Sequence, residues 1–157
     1  MHDEVTVHIA APPEKVWALV ADVTQVGRLS PETFEAEWVG GATGPAVGAR
    51  FKGHVRRGGR GPVVYWTLCE VTACEPGREF GFDVLGGGQR INTWHYRFEP
   101  SGDGTAVTES FALVPSPATR AYWAVAGWVR RPFNRRNLQT SLERLKSVAE
   151  GDEQAAA

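Results

Sequence analysis

From Phe34 to Leu113 the chain alternates apolar and polar residues with a period of two, and glycine clusters cut the alternation into strand-length pieces. Successive side chains of a strand point to opposite faces, whereas a helix repeats every 3.6 residues, so this region can only be sheet. Phe34, Ala36 and Trp38 alternate with Glu35 and Glu37, and Phe51, Gly53 and Val55 with Arg50, Lys52, His54 and Arg56. Phe80, Phe82 and Val84 alternate with Glu79, Gly81 and Asp83, and Trp94, Tyr96 and Phe98 with Thr93, His95, Arg97 and Glu99. Each piece has one apolar and one polar face, the pattern of an antiparallel sheet wet on one side. Gly40-Gly41, Gly58-Gly59, Gly86-Gly87-Gly88 and Gly102-Asp103-Gly104 read as the hairpin turns between strands. Val63–Cys74 begins apolar on both faces, so its register stays open and it has room for a bulge.

The flanks follow other periods. Val5, Val7 and Ile9 form a first strand, and Ala11-Pro12-Pro13-Glu14 starts a helix carrying Val16, Leu19, Val20 and Val23. Gly27 and Ser30-Pro31 stop that region after a second short helix around Val23–Leu29. Beyond Pro115 and Pro117, Leu138, Leu142, Leu145 and Ala149 draw one apolar stripe along a helix. From Phe133 to Glu150 this helix would run about 27 Å, similar to the width of seven strands spaced about 4.8 Å apart. Gly127 and Pro132 separate a short piece from it, so Ala121–Val129 reads as a lid, and 151–157 as a disordered tail after one domain over 1–150.

Totals exclude several classes. With 17 Lys and Arg against 18 Asp and Glu, charge points neither to nucleic acid nor to an acidic partner. The N-terminus enters a strand without a basic region and apolar run, and no stretch approaches the ~18 apolar residues of a membrane span. Cys69 and Cys74, five residues apart on one strand, are expected on opposite faces and roughly 16 Å apart, too far to pair. The expectation is a cytoplasmic protein with free thiols. Six Trp and seven Phe are a heavy aromatic load at 157 residues, suited to a large core or a pocket wall.

The order strand, two short helices, six strands, long helix resembles the START-like (SRPBCC) superfamily, in particular its polyketide cyclase/dehydrase branch. The resemblance is carried by Ala11-Pro12-Pro13-Glu14-Lys15-Val16-Trp17 with Asp22, by Gly48-Ala49-Arg50-Phe51-Lys52-Gly53, and by Trp66. It continues through Val71 with Glu75-Pro76-Gly77-Arg78, Trp94-His95-Tyr96 and Gly102-Asp103-Gly104-Thr105, and spans about Val5 to Ala149. It implies an α+β helix-grip fold, also called Bet v 1-like, whose curved seven-stranded sheet holds the C-terminal helix over an apolar cavity. The inward positions expected to line that cavity are Phe34, Trp38, Phe51, Trp66, Phe82, Trp94, Tyr96 and Phe111, joined by Trp128 and Leu138 from the helical region.

Aromatase/cyclases of this superfamily orient a poly-β-ketone with an arginine and hydroxyl groups. Where that arginine would fall, this chain has Glu70, on the same strand face as Trp66. An inward Glu70 would be a buried carboxyl with a raised pKa, able to serve as acid or base with Tyr65 and Tyr96 as further proton carriers. A solvated position is favoured for Glu70, and more strongly for Glu109. His2, His8, His54 and His95 have no metal-ligand spacing, no nucleophile elbow is present, and neither metal nor organic cofactor is expected. Arg120, Arg130, Arg131, Arg135, Arg136, Arg144 and Lys146 crowd the last helical region around Trp123 and Trp128. They suit either transient contact with an anionic membrane surface or a solvated face covering apolar stems. The leading reading is binding or carriage of a hydrophobic small molecule, a lipid or polyketide-like metabolite. A polyketide aromatase/cyclase, and a protein-interaction module with a vestigial cavity, are the alternatives.

Overall fold

The computed structural model describes residues 2–58, 61–115 and 117–154, with side chains for all of these except 117–131 and 152–154. The alternating region forms β2 (Thr33–Val39), β3 (Arg50–Arg56), β4 (Val64–Glu75), β5 (Glu79–Gly86), β6 (Gln89–Ser101) and β7 (Gly104–Leu113). β1 (His2–Ile9) precedes them, followed by α1 (Pro13–Ala21), a 3-10 turn at Val23–Gln25 and α2 (Val26–Leu29). The seven strands make one curved antiparallel sheet in the order β1-β7-β6-β5-β4-β3-β2, so β1 and β2 are its two edges. This is the helix-grip architecture expected from the sequence.

Local chemistry explains the joints. Gly87 and Gly88 both take positive φ between β5 and β6, as a two-residue hairpin turn of the primed type demands. Gly104 opens β7 so close to β1 that a Cβ there would lie 2.1 Å from the Ile9 carbonyl oxygen. Asp22 accepts hydrogen bonds from the Thr24 backbone N–H and hydroxyl, which caps the turn after α1. α1 is fastened to the sheet by the Trp17 indole N–H, which donates to the Glu79 carbonyl at 2.9 Å. The buried Thr105 hydroxyl adds a second tie, donating to the Ala11 carbonyl at 2.7 Å.

One helix, α3, spans Pro117–Gln154 and includes Pro132. The break expected at Gly127 and Pro132 is absent: the helix passes through both, although proline removes a donor from its ladder. It also continues past Gly151, into the stretch read as a tail. The Ala121–Val129 side chains lie outside the described residues, so the lid expectation does too. α3 packs chiefly along β1 and also meets β7, α1 and α2. Its stripe of Leu138, Leu142, Leu145 and Ala149 is fully buried, against a core that includes Val5, Ile9, Val16 and Val107. Two of the cations on this helix are structural fasteners. Arg144 donates to the Ser30 carbonyl, and Lys146 bonds the His8 carbonyl and Glu150.

Candidate functional site on the concave sheet face

The face of the sheet turned toward α3 is defined by the ladders. It carries Trp38 and Ala36 of β2, Phe51 and Gly53 of β3, Cys69 and Val71 of β4, and Phe82 and Phe80 of β5. Asn92, Trp94, Tyr96 and Phe98 of β6 and Val107, Glu109, Phe111 and Leu113 of β7 complete it. The rings form a nearly continuous floor. Trp38 meets Phe51 edge-on at 5.7 Å, and Phe51 meets Phe82 at 5.1 Å across β4, where Cys69 and Val71 leave room. Farther along, Trp94 and Phe111 stand 4.9 Å apart. Trp38, Phe51, Phe82, Trp94, Tyr96, Phe111 and Leu138 therefore stand where the sequence puts them, while the Trp128 side chain lies outside the described residues.

Two expected wall residues face the other way. Phe34 and Trp66 are 42% and 47% exposed. A bulge between Thr33 and Glu35 adds a residue to β2 and turns Phe34 outward over His54, at 4.4 Å between centroids. The β3–β4 register sets Trp66 opposite His54, on the polar face of β3, where the two rings stack at 4.2 Å. The same register turns Glu70 outward opposite Arg50, and the two form an ion pair at 2.7 Å. Glu70 is thus no cavity acid. Tyr65 shares the inward parity of Cys69 but is 40% exposed, three strands away from β7.

β4 does carry a bulge, between Val71 and Ala73. Its extra residue brings Cys74, opposite Phe80, to the same face as Cys69, opposite Val84; the expectation of opposite faces is corrected by that one residue. Both thiols are free.

The polar centre of the concave face is a residue the sequence reading set aside. Glu109 is 1% exposed and sits opposite Tyr96, whose hydroxyl donates to Glu109 Oε1 at 2.6 Å. Glu109 Oε2 is buried without a hydrogen-bond partner among the described residues. Burial pushes this carboxyl up to about 8, and the Tyr96 hydrogen bond opposes the shift only in part. Burial, followed by the Glu109 charge and hydrogen bond, raises the Tyr96 phenol well above its usual range. At neutral pH the pair is therefore a neutral acid beside a neutral phenol. The signal was present in the strand itself: Val107 and Phe111 flank Glu109 at two-residue spacing, so the alternation places its side chain inside.

Among the described residues no three His, Cys, Asp or Glu side chains gather as a metal site, and no helix is long and apolar enough to cross a membrane. An open groove of about 390 Å³ between α2 and α3, with Arg28, Glu143 and Arg144 in its walls, lies outside the grip.

A family model described as polyketide cyclase / dehydrase and lipid transport matches residues 2–150. The chain belongs to this family. Solved structures with the polyketide cyclase-like fold span nearly the whole chain. Protein TTHA0849 of Thermus thermophilus superposes with a TM-score of 0.73 at 18% identity, covering 97% of this chain and 99% of that one. Protein DR_A0006 of Deinococcus radiodurans gives 0.68 at 21% identity, covering 96% and 99%. The polyketide-cyclase-like protein Cgl2372 of Corynebacterium glutamicum is 31% identical, with a TM-score of 0.52 and coverage of 98% and 85%. No curated protein matches the sequence. Family and fold together suggest a hydrophobic-ligand or cyclase role.

Proposed function

We propose that this protein binds and carries a hydrophobic small molecule between the concave sheet face and α3, with Glu109 and Tyr96 as its polar anchor. The observation that carries this reading is a fully buried carboxyl with one oxygen left unpartnered beside an aromatic floor. Leaving a buried polar group unpaired costs about 1–3 kcal/mol, and native structures rarely tolerate it without a reason such as a bound group. Apolar surface supplies affinity, at roughly 25 cal/mol per Å² removed from water, and Trp38, Phe51, Phe82, Trp94, Phe111 and Leu138 supply that surface. The test is titration with the uncharged, apolar fluorophore Nile red. Saturable enhancement at one molecule per chain, lost on Trp94→Ala and on Phe111→Ala, supports the reading; enhancement that never saturates, or that ignores both substitutions, overturns it.

The same pair favours a second reading, a cofactor-free cyclase. A neutral carboxylic acid hydrogen-bonded to a phenol can hand a proton to a ketone oxygen and take one back. It replaces Glu70 and Tyr65 as the proton-carrying set. Turnover of a poly-β-ketone that Glu109→Gln abolishes, with binding intact, would establish this reading in place of simple carriage.

A further inference from the structure

The concave face holds a second polar atom without a partner. Asn92 lies on β6 four residues before Tyr96, on the same face, and its Oδ1 is buried and unpaired. Four residues of strand span roughly 13 Å, and Trp94 and Phe111 fill the interval with their paired rings. An aromatic floor thus has an unsatisfied oxygen at each end.

The two ends ask for different chemistry. Glu109 Oε1 is occupied by the Tyr96 hydroxyl, so the proton of the neutral acid sits on Oε2 and is offered as a donor. Asn92 Oδ1 can only accept. Among the described residues no cation is at hand to receive an anionic group: Arg97 belongs to the opposite face of β6, and Arg90 reaches Asp83.

We infer that the molecule held here is extended, uncharged and apolar along its middle, with a carbonyl oxygen at one end seated on Glu109 and a hydroxyl at the other donating to Asn92. This rests on the binding reading proposed above. Two hydrogen bonds then fix the direction of a ligand whose affinity comes from its rings or chain.

Among the described residues the titratable groups around Glu109 are few. Tyr96 faces it from β6, and Asp3 stands farther along β1, where the Asn134 side-chain amide of α3 donates to it at 3.1 Å. The buried stripe of α3 brings Leu138, Leu142 and Leu145, which carry no charge. Raising the pH through about 8 therefore ionises Glu109 and removes the donor that a carbonyl needs.

The experiment compares three fused-ring probes of the same size by tryptophan quenching. Testosterone carries a carbonyl at one end and a hydroxyl at the other, androstenedione a carbonyl at both ends, and androstane neither. At pH 6, testosterone is expected to bind about tenfold tighter than androstenedione and about a hundredfold tighter than androstane, roughly tenfold per hydrogen bond. Glu109→Leu should shrink the testosterone-to-androstane ratio about tenfold, and Asn92→Leu should erase the testosterone-to-androstenedione gap. Glu109→Gln keeps the Tyr96 hydrogen bond and an N–H donor, so it guards against simple misfolding. Its carbonyl preference should persist at pH 9.5, where the native protein loses its own. Androstane binding as tightly as testosterone would overturn the two-ended recognition and leave the apolar site standing. Binding of none of the three would overturn both.

Discussion

Tyr96 donates to Glu109 Oε1 at 2.6 Å across the β6–β7 ladder, and the second oxygen of that carboxyl has no hydrogen-bond partner among the described residues. The relationship follows from register alone: two residues opposite each other on adjacent strands, both on the face that α3 covers. It sets a polar point at one end of the Trp94–Phe111 ring pair, with Asn92 at the other.

Stability should depend on pH through Glu109. The unfolded chain gives up this proton near 4.5 and the folded chain near 8, so between them the folded state holds the extra proton. Stability is then fully present below about 4.5 and falls as pH rises toward 8, by at most about 1.4 kcal/mol per unit from this group. Urea unfolding at a series of pH values should show this fall, and Glu109→Gln should remove the part of it that Glu109 contributes. Equal slopes in both proteins would mean the carboxyl is already ionised when folded.

The outward cluster should be silent in binding. Phe34→Ala and Trp66→Ala remove half-exposed rings that rest on His54, on the far side of the sheet from α3. Neither should alter fluorophore affinity, and each should cost no more than about 1 kcal/mol of stability in thermal unfolding. Trp94→Ala and Phe111→Ala should weaken the same affinity. Reversed results would place the binding surface on the convex face.

Much of this arrangement is legible in the sequence, and the failures share a cause. Period-two counting places Phe51, Phe82, Trp94 and Phe111 because their strands pair without interruption where they stand. It fails at Phe34 and at Cys74, where one inserted residue exchanges the faces. At Trp66 and Glu70 the strand is apolar on both sides, so the pattern does not choose a register and the pairing with β3 does. Glu109 fails differently: its position was readable, but a carboxyl in an apolar row suggests solvation unless a partner such as Tyr96 can be foreseen across the ladder. Pro132 shows that a breaker in sequence need not end a helix.

The two thiols should differ in reactivity. Burial pushes Cys69 up to about 12, against a weaker opposing hydrogen bond from Thr67, and the residue is 3% exposed. Cys74 is more accessible, although burial raises its thiol too. At pH 8, a disulfide reagent should modify Cys74 first and reach Cys69 only on unfolding. Equal rates in the folded protein would contradict the burial of β4.

Gly104→Ala should destabilise the fold by about 1–3 kcal/mol, because its methyl group would press on the Ile9 carbonyl at the β1–β7 edge. Chemical unfolding reads this directly, and an unchanged midpoint would show that the two strands can separate without cost.

The central claim, an apolar molecule lying on the concave face over Trp94 and Phe111, is tested most directly by native mass spectrometry of the protein purified from its own host. The account predicts one bound apolar molecule per chain, kept by the Phe34→Ala/Trp66→Ala double variant and lost by Trp94→Ala/Phe111→Ala. A bare chain mass in the unaltered protein, or an adduct that survives loss of Trp94 and Phe111, would contradict it.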